Sequence, residues 1–155
     1  MNQKLSDWAS MAEIASAIAV VVTLALVLVE LRENTDAVRA AARQSIAARI
    51  EDRTMAVATD SQLADLLFRG QEPDGIEAGS REAYQMSYFY TSVATSLEEA
   101  FFQFREGNLE AQFFEPRARR GLYALSSPAA RAWLERRQAD YAPDFIEWAY
   151  SQLDE

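Results

Sequence analysis

One uninterrupted apolar stretch, residues 14–29, constrains this chain more than any other feature. It contains no charged residue, no glycine and no proline. As a helix, its sixteen residues cover about 24 Å, which is less than the ~30 Å hydrocarbon core of a bilayer. Residues 8–12 and Leu31 extend it to a spanning length, with Glu13 and Glu30 near the two interfaces. We therefore predict a membrane-spanning helix rather than the buried helix of a soluble bundle.

The flanks of this stretch indicate an uncleaved anchor with its N-terminus outside. A cleaved signal peptide has a basic start and a small-residue cleavage site, but here Asp7 offsets Lys4 and residues 30–34 form no such site. Lys4 is the only basic residue before the span, whereas four follow it closely: Arg32, Arg39, Arg43 and Arg49. Because cytoplasmic flanks carry the excess of Lys and Arg, the C-terminal side is predicted to be cytoplasmic.

The chain divides into a predicted tail and transmembrane anchor over residues 1–33 and one helical domain over residues 34–155. Neither glycine nor proline occurs from Leu31 to Ala58, so one continuous helix is predicted over 8–58. Helical spacing places four apolar side chains on the face expected to meet the domain: Leu31, Val38, Ala42 and Ile46.

Cap and breaker residues predict the remaining helices. Asp60, Ser80 and the pair Ser127-Pro128 are helix-start signals. The helix predicted over 80–106 is apolar on both sides and is expected to be the core helix of the domain. Aromatic residues near the C-terminus are expected to close this core: Trp133, Tyr141, Phe145 and Trp148. The predicted fold is all-α, a single N-terminal transmembrane helix continuing into a long helix that packs in a cytoplasmic helical bundle.

Composition excludes several classes of function. The chain has no Cys and no His, which removes thiol nucleophiles, imidazole bases, catalytic triads and Cys/His zinc sites. Its net charge of −9 disfavours nucleic acid as a partner. No glycine-rich phosphate loop is present. We predict no cofactor and no metal, and the composition favours a protein that is not an enzyme.

Two segments carry a resemblance. Residues 29–35 (VELRENT) and 126–148, which begin SSPAARAWLERR, are similar to those of a widespread group of small bacterial proteins of unknown function. Residues 107–110 extend the likeness into the middle of the chain. The group has one N-terminal membrane helix and a helical cytoplasmic domain. The resemblance therefore implies a bacterial inner-membrane location, and it implies no catalytic residue.

Three sets of residues are candidate sites. A stripe of small side chains in the span would let transmembrane helices approach closely, although such residues are common in any apolar helix. The stripe consists of Ala12, Ser16, Ala19 and Thr23. A second set is acidic and aromatic: Glu98 with Tyr84 and Tyr88 on the core helix. It would form a pocket with an acid or base of raised pKa; the alternative is a Glu98–Arg ion pair.

The third set is a group of arginines that would contact an anion, an acidic partner or the anionic leaflet. Its members are Arg117, Arg119, Arg120, Arg131, Arg136 and Arg137. The alternative is a solvated face that is salt-bridged to the acidic first half of the chain.

Two functions follow from these observations. The leading hypothesis is a non-enzymatic, membrane-anchored scaffold or interaction protein. Its partners would be the lipid bilayer and either further copies of itself, as a homo-oligomer, or a larger membrane complex. The alternative is a ligand-binding or carboxylate-dependent enzyme domain at the membrane surface, with its pocket around Glu98.

Overall fold

The chain is almost entirely helical. The computed structural model describes residues 2–72 and 75–154, but not the side chains of residues 2–7, 9, 10 and 12. These described residues form six α-helices, one 3-10 turn (Gln138–Asp140) and no β-strand. The helices are α1 (Asn2–Thr59), α2 (Ser61–Arg69), α3 (Arg81–Arg105), α4 (Ala111–Ala124), α5 (Pro128–Arg137) and α6 (Pro143–Leu153). The all-α prediction is confirmed.

Two compact units make up the chain, Met1–Ala40 and Ala41–Glu155. Helix α1 runs without interruption for 58 residues and contributes to both units, which confirms the predicted long helix. In the first unit, every described side chain from Glu13 to Val38 is exposed. The hydrophobic core belongs to the second unit. The domain boundary between residues 33 and 34 stays a prediction.

Local capping explains where the helices of the second unit begin. The carboxylate of Asp60 accepts hydrogen bonds from the amides of Gln62 and Leu63 at 2.9 and 3.1 Å. The hydroxyls of Ser80 and Ser127 each accept one from the amide three residues on, at 3.0 and 3.3 Å. Each side chain satisfies an amide that has no partner within its own helix. The predicted starts of α2, α3 and α5 are confirmed.

Helix α3 is the central element of the second unit, because it contacts α2, α4, α5 and α6. Its buried apolar side chains form one broad face: Met86, Tyr90, Val93, Ala94, Leu97, Ala100 and Phe101. The sequence predicts a second apolar face on this helix, which includes Tyr84 and Tyr88. At these two residues the face does not belong to the core, since their rings are 65 % and 61 % exposed. The predicted closing residues are confirmed, with Trp133 and Phe145 buried and Tyr141 and Trp148 packed against the core.

Within the second unit, the end of α1 packs through a few side chains. Ile46 is only 2 % exposed, and Ala42 packs beside it. The other two members of the predicted face, Leu31 and Val38, are 60 % and 45 % exposed. Both residues belong to the first unit, so that part of the prediction stays a prediction.

Candidate functional site

The longest run of exposed apolar side chains in the part of the chain that the structure describes is the segment from Ile14 to Leu31 on α1. Its large side chains are 51–65 % exposed. Helix α1 is the one helix among the described residues that is long and apolar enough to cross a membrane, and its most apolar stretch contains no buried residue. A contiguous apolar surface of this size is unfavourable in water and marks a surface covered by lipid or by protein.

Three members of the small-residue stripe, Ser16, Ala19 and Thr23, are exposed on this segment. The side chain of the fourth, Ala12, lies outside the described residues. The hydroxyl of Thr23 donates to the carbonyl of Ala19 at 2.9 Å. The hydroxyl proton of Thr23 is therefore satisfied within the helix, as a hydrocarbon environment requires. Self-association through the stripe stays a prediction.

The predicted pocket residues are not brought together. Glu98 lies ten residues after Tyr88 on the same helix, which separates them by about 15 Å along the axis. The carboxylate of Glu98 accepts a hydrogen bond from the amide of Ala142 at 2.7 Å. The alternative prediction is an ion pair between Glu98 and an arginine. Among the described residues Glu98 makes the backbone hydrogen bond and no such ion pair. The neighbouring Glu99 makes the ion pair instead, with Arg49 at 2.7 Å.

The two tyrosines of this set form a pair of their own. The hydroxyls of Tyr84 and Tyr88 lie 2.9 Å apart, and their rings meet edge to face. This hydrogen bond raises the pKa of Tyr84, so its hydroxyl stays protonated at neutral pH. The pair lies on a shallow groove that Glu98 does not line.

The predicted arginine group is divided between different surroundings. Arg131 pairs with Asp154 at 2.8 Å and also donates to the carbonyl of Leu153. Arg137 pairs with Asp140 at 3.2 Å. Both partners lie in the C-terminal half of the chain. These two arginines therefore do not form the expected salt bridges to the acidic first half of the chain.

The other four arginines lie in different surroundings. The guanidinium of Arg117 lies 3.4 Å from the centre of the Phe113 ring and donates to the Phe113 carbonyl at 3.0 Å. Arg117 and Arg120 line one cavity, Arg119 lines a different groove, and Arg136 is exposed. The six cations therefore do not form a single anion-binding face.

An apolar cavity of about 410 Å³ lies in the second unit between α1, α3 and α4. Most of its lining is aliphatic or aromatic, including Ile46, Ile50, Val57, Phe89, Val93 and Leu97. The charged residues that line it are all arginines: Arg53, Arg117 and Arg120. This is the kind of lining that ligand pockets have, with apolar walls and a few polar groups.

Arg53 is the functional candidate that sequence reasoning missed. Its Nη1 atom is buried and has no hydrogen-bond partner among the described residues. Burial lowers the pKa of this guanidinium. A signal was present in the sequence, because Ile46, Ile50, Arg53 and Val57 are spaced four, three and four residues apart. Arg53 thus occupies a position on the apolar stripe of α1.

The comparisons with known proteins add nothing to this geometry, since no family model, no curated protein and no solved structure matches the chain.

Proposed function

We propose that this chain is a single-pass protein of a bacterial inner membrane that holds a non-enzymatic interaction domain at the cytoplasmic surface. The domain assembles with further copies of the chain or with a larger membrane complex. The exposed apolar surface from Ile14 to Leu31 carries the proposal. Covering such side chains stabilises by about 1.5–3 kcal/mol each, and a bilayer is the solvent that covers them all at once.

The distribution of charge supports the orientation. One lysine precedes the span, and four arginines follow it between Arg32 and Arg49. The side before the span therefore lies outside, and residues 34–155 lie in the cytoplasm.

Three observations favour binding over catalysis. The chain lacks Cys and His, so thiol nucleophiles and imidazole bases are absent. Glu98 is engaged in a hydrogen bond to the amide of Ala142. The hydroxyls of Tyr84 and Tyr88 bond to each other. None of these groups is left as an acid or base beside a pocket.

The particle mass after detergent-free extraction tests the proposal. The native membrane would be solubilised with an amphipathic polymer, and the mass of the protein in each disc compared with the 17.4 kDa of one chain. We expect a small multiple of that mass, or a co-purifying protein in fixed ratio. Single chains without a fixed partner would contradict the proposal.

A matched pair of variants locates the assembly face. Ala19→Leu places a large side chain on the small-residue stripe, and Ala25→Leu makes the same change on the opposite side of the helix, about 180° from Ser16. We expect Ala19→Leu to reduce assembly and Ala25→Leu to leave it intact.

A further inference from the structure

The cavity between α1, α3 and α4 combines apolar walls with a half-buried arginine, Arg53, whose Nη1 atom is buried and has no hydrogen-bond partner among the described residues. We propose that it binds a single-chain amphiphile with an anionic head group, such as a long-chain carboxylate. The head group pairs with Arg53, and the chain lies along the aliphatic walls. This site is independent of the transmembrane assembly proposed above.

The size and the walls of the cavity suit an acyl chain. Its volume of about 410 Å³ lies within the roughly 300–1,000 Å³ of small-molecule sites. Ile46, Val93 and Leu97 on its walls are only 2–4 % exposed, so these walls are built into the core of the second unit. An apolar space of this size gains stability when an apolar ligand displaces water from it.

The half-buried guanidinium of Arg53 explains why the ligand carries a negative charge. A buried polar atom without a hydrogen-bond partner costs free energy, and a charged group costs more. The Nη1 atom of Arg53 is in this condition. Asp52 and Asp60 line the neighbouring groove with Arg53, yet neither forms an ion pair with it among the described residues. A carboxylate or phosphate in the cavity would pair with Arg53, one of the residues that line it.

The two hydroxyls of the lining have no free proton to donate to a ligand. The hydroxyl of Thr54 donates to the carbonyl of Ile50 at 2.7 Å, and that of Ser96 donates to the carbonyl of Ser92 at 2.8 Å. Their protons are therefore already used within their own helices. The arginines are left as the donors, which fits a molecule that is polar at one end.

The charge of the cavity lining is positive, whereas the net charge of the whole chain is negative. The sequence has 24 acidic and 15 basic residues, yet three arginines and no acidic residue line the cavity. An anionic head group is attracted to this lining, and an amine is repelled from it.

Photo-crosslinking in the full-length protein tests the proposal. The protein would be placed in phosphatidylcholine nanodiscs with palmitic acid that carries a diazirine on its chain, and crosslinked peptides identified by mass spectrometry. Crosslinks within residues 46–58, 89–100 and 117–124 report the cavity, whereas crosslinks within residues 14–31 report probe dissolved in the bilayer. We expect cavity crosslinks that saturate with probe concentration.

Head-group specificity is measured on the unaltered protein, so it does not depend on any variant folding. A diazirine alcohol of the same chain length lacks the charge, and we expect it to crosslink the cavity at least tenfold less than the acid. Unlabelled palmitate and unlabelled lysophosphatidate then compete against the photo-probe. Stronger competition by palmitate identifies a free carboxylate as the ligand, and stronger competition by lysophosphatidate identifies a phosphate head group.

Three variants complete the test. Arg53→Gln should lower cavity crosslinking at least tenfold while bilayer crosslinking stays unchanged. Arg119→Gln is the matched control, because Arg119 does not line the cavity, and it should crosslink like the unaltered protein. Val57→Trp fills the space from α1 and should block the probe without touching a charge. Equal crosslinking by the acid and the alcohol, or by Arg53→Gln and the unaltered protein, would overturn the proposal.

Discussion

The carboxylate of Glu98 accepts a 2.7 Å hydrogen bond from the backbone amide of Ala142, the residue that immediately precedes α6. This bond joins the middle of α3 to the start of another helix. The amides at a helix start have no partners within the helix, and a negative charge is favourable beside them. Glu98 therefore acts as a cap that a neighbouring helix supplies.

We predict that Glu98→Ala lowers the free energy of unfolding by about 1–2 kcal/mol, the range for the loss of a helix cap. Glu98→Gln keeps an oxygen acceptor and should cost less than half as much. The exposed Glu115 gives a control, since Glu115→Ala should change stability by less than about 0.5 kcal/mol. Denaturant titration followed by tryptophan fluorescence measures all three. Equal stability of Glu98→Ala and the unaltered protein would contradict the capping role.

Ile46 should anchor the end of α1 in the second unit. It is 2 % exposed but borders the cavity, so Ile46→Ala should cost about 2 kcal/mol, the low end of the range for such truncations. Val38 lies on the same predicted face but is 45 % exposed, and Val38→Ala should cost less than about 0.5 kcal/mol. The same denaturant titration measures both variants. Similar losses of unfolding free energy in Ile46→Ala and Val38→Ala would contradict the anchoring role of Ile46.

The helices could be predicted from the sequence because their signals are local. Asp60, Ser80 and Ser127 each bond to an amide two or three residues away, and the apolar run of α1 needs no partner to be recognised. The roles of Glu98 and Arg53 could not be predicted in the same way. Both depend on which helices dock, and the bond from Ala142 to Glu98 joins residues 44 positions apart.

The ion pair between Arg69 and Glu82 predicts a dependence of stability on pH. Arg69 donates to both carboxylate oxygens of Glu82, at 3.1 and 2.9 Å, and to Asp65 at 2.9 Å. These hydrogen bonds from Arg69 lower the pKa of Glu82 below its ordinary value of 4.5. Because the folded pKa is the lower one, the pair stabilises fully above about pH 4.5 and loses its effect as the pH falls through the folded pKa.

Thermal unfolding of Glu82→Gln and of the unaltered protein checks this sign. The difference in Tm should be constant above about pH 5.5 and should shrink progressively below about pH 4.5. Glu77→Gln, at an exposed position between α2 and α3, should show no such trend. A Tm difference for Glu82→Gln that persists unchanged to about pH 3 would contradict the assignment.

Arg53 should destabilise the ligand-free protein. Its Nη1 atom is buried without a partner, so Arg53→Met, which keeps an apolar stem of similar length, should raise the free energy of unfolding by about 1 kcal/mol. Arg119→Met should change it by less than about 0.5 kcal/mol. Denaturant titration of delipidated protein makes the measurement. A loss of stability in Arg53→Met would mean that the guanidinium makes a favourable contact in the empty cavity.

The central claim is that residues 14–29 cross a membrane with the N-terminus outside, and cysteine labelling in spheroplasts tests it most directly. The chain contains no native Cys, so a single introduced thiol gives the whole signal. A membrane-impermeant maleimide should label Ser6→Cys in intact spheroplasts, and should label Gln152→Cys only after the membrane is permeabilised. Labelling of Gln152→Cys in intact spheroplasts, or protection of Ser6→Cys from the reagent, would contradict the account.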